Sequence, residues 1–454
     1  MRFRKWQTAL VCLFALALVA FAPVRRGRAR AASGYTVTDL GVLNGDQKSV
    51  AYALDGCGRI AGVSILLNQN DSTIPRHPVL WDDSQQPQPT PSPVTDMGTL
   101  GGNNATASAL NNFGVAAGYS SNAAGDTQHA FIWHDDNGDH ATQPGEMKDL
   151  GTLPGDTLSQ AYGVNDSGQV VGLSELNSQN GFADHAFIWS NGTMQSIPAS
   201  NGLTPFRAYA INNAGQVVGV AATSSGASHA YRLSGNTLTD LGTLGGSNSF
   251  ANGINEAGQV VGNSDLNSGS ASPPSHAFVW SPGPVMINLG TLGGSNSIAY
   301  DINASGDVVG SSEVTGGPSH AFIWHDDNGN GLGDAGEMKD LNALLPPSTG
   351  WTLQEARSIN DSGQIVGYGL NPSSQPHAFL LTPTSFTPAP CATPAPSSIS
   401  NVSGSGVFNS TATLTATLLK SGTTPLSGKT VSFTLNGAAV CGTGNTPEIG
   451  RAHV

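Results

Sequence analysis

Six residues in one short stretch have the types and spacing to hold a hard cation. Asp326, Asn328, Asn330, Gly331, Asp334 and Glu337 occupy positions 1, 3, 5, 6, 9 and 12 of a twelve-residue loop, and the carbonyl of Leu332 falls at position 7. Oxygen donors at alternate positions let a short loop wrap Ca2+, glycine makes the sharp bend, and a terminal glutamate can bind through both oxygens. A degenerate copy reads Asp135, Asn137, Asp139 and Glu146, with His140 at the glycine position and Gln143 at position 9. The expectation is calcium at the first loop, with the second the weaker site. The competing reading is an acidic, solvated connection.

No helices flank either loop, so the similarity is to the EF-hand calcium loop and not to that fold. What surrounds them is a motif that returns seven times between about Ala51 and Leu381. Each copy has a small-residue strand ending in Asn, a turn ending in Gly, a Val-Val-Gly strand and, after a variable loop, His-Ala-Phe-Ile-Trp or a variant. The marker histidines His77, His129, His185, His229, His276, His320 and His377 are spaced 52, 56, 44, 47, 44 and 57 residues apart. Repeats of this length that read as short strands signal a radial β array.

Each repeat reads as four strands. The first resembles residues 208–211, and its Asn212-Asn213-Ala214-Gly215 end is tight-hairpin chemistry. The second resembles residues 216–219, whose β-branched residues suit a pleated, buried surface. The third is the His-Ala-Phe segment. The fourth ends in Asp-Leu-Gly-Thr-Leu, as at residues 240–244 and 288–292. Residues 35–43 read as a fourth strand with nothing before it, while the last repeat supplies only the first three strands. Pairing the chain ends would complete a seventh blade and leave no exposed edge. The expected fold is all-β: a seven-bladed β-propeller over residues 35–381, closed by its N-terminal strand.

This architecture argues against the histidines as a metal centre. If the first strand lines the channel, the third lies two strands out, roughly 10 Å further from the axis. Each ring is expected to tie neighbouring strands by hydrogen bonds, with Phe131, Phe187, Phe278 and Phe322 and Trp133, Trp189, Trp280 and Trp324 as packing between blades. Leu233 and Leu381 replace the tryptophan in two copies. Asn111, Asn165, Asn212, Asn255, Asn303 and Asn360, with Asp55 in the first copy, read as turn residues.

Residues 1–31 look like an export signal: Arg2, Arg4 and Lys5 precede an apolar run over residues 9–22, and Ala29-Arg30-Ala31 offers a cleavage site. Arg25, Arg26, Arg28 and Arg30 sit awkwardly before it, so an uncleaved N-terminal membrane anchor stays open. The seven basic residues up to Arg30 account for part of the 18 Lys and Arg. The remaining 11 face 31 Asp and Glu, a net charge near −20. That balance argues against nucleic acid or an anionic membrane as partner. Three cysteines follow the signal, Cys57, Cys391 and Cys441, and an odd count is no disulfide framework. A Cys391–Cys441 pair, with Cys57 buried in the first repeat, is one arrangement.

Residues 382–398 form a Pro, Thr and Ser linker, expected to be extended and stiff. Beyond it, residues 411–418 and 430–435 alternate as strands, with Pro425-Leu426-Ser427-Gly428 between them. This resembles the first half of a bacterial immunoglobulin-like domain of the invasin and intimin type over residues 399–447. Such a sandwich needs about 90–100 residues, so the module is incomplete. Residues 448–454 fit neither pattern and read as translated sequencing adapter.

The recurrence of His-Ala-Phe-x-Trp, Asp-Leu-Gly-Thr-Leu-Gly-Gly and Ile-Asn-x-x-Gly-x-Val-Val-Gly in fixed order resembles the HAF family of probable bacterial extracellular repeats. The resemblance covers most of residues 35–381. It implies export to the extracellular space or cell surface and a repeat fold, and no established activity.

For function, the face carrying the fourth-to-first and second-to-third connections is the expected ligand face. It holds the turns at residues 101–104, 245–248 and 293–296 and the loops at residues 65–76 and 173–184. The calcium-type loops would lie on the opposite face. The reading is a non-enzymatic exported scaffold that presents a propeller face to a protein or polysaccharide. The alternative is a secreted polysaccharide hydrolase or lyase. Asp156, Glu175, Asp184, Asp265 and Glu313 lie in the right loops for it, and two carboxylates within roughly 5–10 Å are its minimum equipment.

Overall fold

The computed structural model describes residues 34–66, 75–82, 94–123, 127–136, 140–178, 181–267, 269, 270, 272–283, 285–385, 397–405, 412–420 and 424–435. The expected signal at residues 1–31, Cys391, Cys441 and residues 448–454 lie outside them. Among the described residues no helix is long and apolar enough to cross a membrane.

The protein is all-β apart from one short 3-10 turn, Leu341–Leu344. Between Tyr35 and Pro383 the strands form five separate four-stranded sheets and one eight-stranded sheet. The larger sheet is two such four-strand groups joined by a single parallel bridge, Arg76 to Asn104. Each group is an antiparallel meander, as in Leu158–Val164, Val170–Ser178, Gly181–Ser190 and Thr193–Ser196. The closing group takes Thr352–Ile359, Ile365–Leu370 and Pro376–Pro383 from one chain end and Tyr35–Asp39 from the other. Tyr35 pairs with Pro383 and Asp39 with Phe379, as expected from the unpaired fourth strand at the start. This pairing carries the last strand two residues past Leu381.

Chemistry that recurs in six of the seven repeats explains the motif, Val79 replacing the aromatic in the first. The Val-Val-Gly glycine faces the small residue of the first strand on one side and the aromatic of the third on the other, as Gly310 does between Ala299 and Phe322. A Cβ on Gly310 would stand 2.0 Å from the Ile298 carbonyl oxygen and 2.7 Å from the Phe322 ring, so only glycine fits. The first strand bulges beside this contact, with a register shift between Ala299 and Asp301.

Apolar clusters bridge neighbouring groups. Ala117 and Ala130 pack with Ala161, Val170, Phe187 and Trp189 of the next group. Leu40, Ala51, Ile60 and Trp81 pack with Val366, Ala378 and Leu380 of the last, so the chain's two ends meet in one core. Phe131, Phe187, Phe278, Phe322 and the four matching tryptophans are buried, as their packing role requires.

Two sets of hydrogen bonds cross the same seams. At one seam, the Ser159 hydroxyl donates to the Gly151 carbonyl (2.6 Å) and accepts from the Ala130 N–H (2.8 Å) of the preceding group. Ser49, Ser249 and Ser297 repeat the pattern. The second set is the asparagine belt. Asn165 Oδ1 caps its own hairpin by accepting from the N–H groups of Ser167 and Gln169, while Nδ2 reaches the backbone carbonyl of Asn212 in the next group. Asn111 reaches Asn165, Asn212 reaches Asn255, Asn255 reaches Asn303, Asn303 reaches Asn360, and Asn360 reaches the Asp55 carbonyl. Asp55 has no amide to continue the chain. Its partner Arg59 donates instead to the Asn112 carbonyl at 2.8 Å.

Four boundaries differ from the sequence reading. The fourth strands are shorter than Asp-Leu-Gly-Thr-Leu suggests: Thr237–Asp240 and Met286–Asn288 stop at the Asp or Asn. That side chain accepts the N–H of a glycine at positive φ, Gly242 or Gly290, which turns the chain out of the sheet. The Gly-Gly-Ser-Asn segments read as turns instead open long first strands, Gly101–Leu110, Gly245–Ile254 and Gly293–Ile302. The loop expected at residues 173–184 is an extended hairpin, with Glu175 opposite Asp184. Finally, Pro425 to Gly428 is no connection but part of strand Thr424–Leu435, which pairs with Ala412–Lys420 in a three-stranded sheet with Ser397–Ser405. Cys57 is half-exposed rather than buried.

Replacing Asn212 by alanine removes the bond to the Asn255 carbonyl, which keeps only the Gly258 N–H, and takes the side-chain acceptor from the Gln216 N–H. Thermal or urea unfolding is expected to show a loss of about 2–4 kcal/mol. Asn213→Ala, in the more exposed neighbouring position, is expected to cost about 1 kcal/mol or less.

Candidate functional site

The first strands line a central cavity of about 560 Å3. Tyr52, Tyr162, Tyr209, Tyr300 and Arg357 come from first strands, and Tyr119 from a second strand. The bulge beside the Val-Val-Gly glycine re-aims the following residues, and these positions carry the tyrosines. Tyr162 and Tyr209 have ring centroids 5.5 Å apart. Across the cavity, Arg357 lies over Tyr300 at 4.2 Å and Tyr52 at 5.7 Å and pairs with Glu355.

Asp301 sits in the cavity wall and accepts from the Ser358 hydroxyl (2.8 Å) and the Ile359 N–H (3.0 Å) of the next group. Its distance from bulk solvent pushes its pKa up to about 6, with the accepted hydrogen bonds opposing the shift.

A second depression of about 500 Å3 opens on the face of the second-to-third-strand hairpins, lined by Glu175, Asp184, Phe206 and Arg207. Arg207 donates to Asp184 through Nε (2.8 Å) and a terminal nitrogen (2.7 Å). The bonds to Asp184 and the neighbouring Tyr209 hydroxyl outweigh burial to raise the Arg207 pKa. Glu175 faces Asp184 across the adjacent strand. Partial burial, then the Asp184 charge, raises its pKa.

Of the five carboxylates singled out from the sequence, the structure therefore brings Glu175 and Asp184 together. Asp156 bonds His185 (3.2 Å). Asp265 accepts from Asn248, and Glu313 accepts from Ser295 and Asn296, each within its own group.

The histidines tie strands and loops within their own groups. His77, His129, His185, His229, His320 and His377 each place Nδ1 on a carboxylate, and His276 places it on Asn288. Among the described residues no group of three or more His, Cys, Asp or Glu is placed to hold a metal.

The calcium-type loop joins Trp324 to Met338. Asp326 accepts from the N–H groups of Gly329, Asn330 and Gly331, and Gly331 makes the bend at positive φ. Asn328 and Asn330 turn their amides onto one oxygen of Asp334 at 2.7 and 2.6 Å, holding that carboxyl below its usual range. Buried Glu337 accepts from Asp327 and Asp334. Leu332 is 57% exposed and donates its N–H to Asn330. These oxygens hold the loop's own N–H groups, so the present arrangement is self-braced.

In the degenerate copy, Asn137 and Asp139 lie outside the described residues. Asp135 and Glu146 accept from the N–H groups of His140 and Gln143, the positions that Gly331 and Asp334 fill in the first loop. His140 takes the positive φ of the absent glycine. Both loops lean on the preceding group's fourth strand: Thr142 bonds the Asp96 carbonyl, and a Cβ on Gly333 would stand 2.0 Å from the Asn288 carbonyl oxygen.

Sequence reasoning missed the tyrosine-lined cavity. Its signal was present as Tyr52, Tyr162, Tyr209 and Tyr300, each one or two residues after the small residue that pairs with the glycine.

Open four-stranded meanders arranged about a tyrosine-lined cavity define a β-propeller. A model of the family described as "Protein of unknown function (DUF3466)" matches residues 90–232. None of the curated proteins matches. Among solved structures, the chain is similar to the β-propeller domain of the Trilobed protease from Pyrococcus furiosus, at 10% identity over 74% of this chain and 95% of that one, with a TM-score of 0.44. It is also similar to TolB from Acinetobacter baumannii (14%, 71% and 80%, 0.36). The six-bladed fucose-recognising lectin of Aleuria aurantia is a third (11%, 68% and 99%, 0.35). Likenesses of this strength bear on neither activity nor ligand.

The raised Asp301 pKa has a definite sign. Between the ordinary carboxylate pKa near 4 and the folded value near 6, the folded state holds a proton that the unfolded chain has released. Stability from this group is complete below about pH 4 and falls by up to about 2–3 kcal/mol as pH rises to about 6. Melting curves from pH 4 to 7 are expected to show that fall in the wild type relative to Asp301→Asn, in which it disappears.

Proposed function

We propose that this chain is an exported, non-enzymatic binding scaffold of the HAF-repeat type, built as a seven-bladed propeller on an immunoglobulin-like spacer and displayed outside the cell. The six discrete sheets, one of them double, supply seven four-strand groups, and the pairing of Tyr35–Asp39 with Pro376–Pro383 supports ring closure. The observation that carries the binding reading is the depression at Glu175, Asp184, Phe206 and Arg207, which adjoins the central cavity on the face of the variable hairpins. A concave aromatic surface with a few convergent polar groups suits a polysaccharide or an extended protein segment.

One observation favours the rival hydrolase or lyase. Glu175 and Asp184 are directly opposite, a placement that sets Cβ atoms about 4.5–5.5 Å apart. Glu175, with its raised pKa, would be the acid. Against this, Asp184 already holds Arg207 twice through one oxygen.

Incubating the purified chain with insoluble polysaccharides separates the two. The scaffold predicts retention on at least one of them with no soluble reducing sugar released. Release of sugar that Glu175→Gln abolishes would establish the enzyme instead.

Calcium belongs to this reading as a brace. Bound in the Asp326–Glu337 loop, it would stiffen a segment that leans on the neighbouring group, away from the binding face. Calorimetric titration is expected to show binding and a melting temperature several degrees higher, both lost in the Asp326→Ala, Glu337→Ala double variant.

A further inference from the structure

Arg207 lines the depression and stands two residues before Tyr209 of the cavity on the same first strand, Leu203–Ile211. Charge is unevenly settled across the two hollows. Asp184 is neutralised by Arg207, and Asp156 nearby is paired with His185. Glu175 is the lining carboxylate with no hydrogen-bond partner or ion pair among the described residues. Arg207 acts on Glu175 only through its charge, its hydrogen bonds being spent on Asp184, so a cation hydrogen-bonded to Glu175 gains a direct contact that no protein group makes. Deeper in, the opposite holds. The cationic place against the tyrosines is filled by the protein's own Arg357, stacked on Tyr300 and paired with Glu355. A second cation would meet like charge.

What the interior does offer is flat aromatic surface and an unmet hydroxyl. Thr106 lines the cavity at 3% exposure, and its Oγ1 has no hydrogen-bond partner among the described residues. A buried hydroxyl of this kind costs free energy unless something in the cavity meets it.

We propose that the depression and cavity form one site for a glycan bearing primary amino groups. An amino sugar sits on Phe206 with its ammonium against Glu175, and an adjoining uncharged ring enters past Tyr162 and Tyr209 towards Thr106. This rests on the polysaccharide-binding reading above and names its ligand class. The combination excludes neighbouring chemistries. A polyamine or lysine-rich peptide would carry charge to Arg357, and a uronic-acid glycan would meet Glu175 with like charge. A divalent cation would find no set of three converging ligand side chains among the described residues.

Calorimetry on the full chain at low salt uses three probes: glucosamine trimer, N-acetylglucosamine trimer and trilysine. The expected result is binding of the glucosamine trimer, at least tenfold weaker binding of the acetylated trimer, and none of trilysine. Glu175→Gln, a near-isosteric change at a partly exposed position, is expected to weaken the glucosamine trimer about tenfold and to flatten its salt dependence. Phe206→Ala should weaken both sugars alike, with melting curves confirming that each variant is folded. Equal binding of the two sugars, indifference to Glu175→Gln, or binding of trilysine as tight as that of the glucosamine trimer overturns the amino-glycan assignment. In the first of these cases, loss of both sugars in Phe206→Ala leaves the polysaccharide reading standing. Binding of trilysine alone points to a peptide ligand, and binding of none of the three overturns the assignment at this site.

Discussion

The asparagine at the end of each first strand is the interaction on which the ring depends. One side chain does two jobs: its carbonyl oxygen closes a hairpin, and its amide crosses to the next group's backbone. Because the acceptor is the backbone of the next asparagine, every link presupposes that the next hairpin has already been shaped. Six links of the same kind run from Asn111 to Asp55. The break at Asp55 falls where the chain's two ends meet, and a guanidinium spans it.

That belt sets how closely the first strands approach, and the other motif residues follow from it. A narrow centre puts the first-strand backbone against the second, which is why the Val-Val-Gly position tolerates no side chain. The seams widen outward, where Phe and Trp fill them and serine hydroxyls staple Gly and Ala backbone groups across the gap. The histidine–carboxylate pairs belong to this outer region. The loop at Asp326 is joined to the belt as well: buried His325 contacts Asp307 at 2.7 Å, and Asp307 accepts from Asn303.

The proposed site lies where the repeats stop being alike. Serine, glycine and asparagine positions recur with the blade-like groups, and the tyrosine position recurs in four of them, but Arg357, Arg207 and Glu175 do not. The interior is consequently two-sided, with a stacked arginine on one wall and a tyrosine pair on the other. An asymmetric lining in a near-symmetric frame can orient a ligand, whereas a uniform ring could only enclose it.

Much of this was legible in the sequence. The period, the Asn-x-x-Gly turns and the lone fourth strand read over residues 35–43 sufficed for the all-β meanders and for the pairing of that strand with Pro376–Pro383, because hairpin chemistry and strand alternation are local. The spacing of Asp326 to Glu337 likewise foretold a tight loop bent at Gly331. The sequence could not reveal that Glu175 stands opposite Asp184, that Arg207 joins that pair to Tyr209, or that Thr106 faces a cavity unpaired. The Glu175–Asp184 register belongs to one long hairpin, while the Arg207–Asp184 bond and the cavity lining join different groups, at distances that depend on how far each bulge turns its strand and how closely the asparagine belt draws the groups together. Turns and periods are written in short-range backbone preference. The site is a product of packing between repeats, and only the tertiary structure decides it.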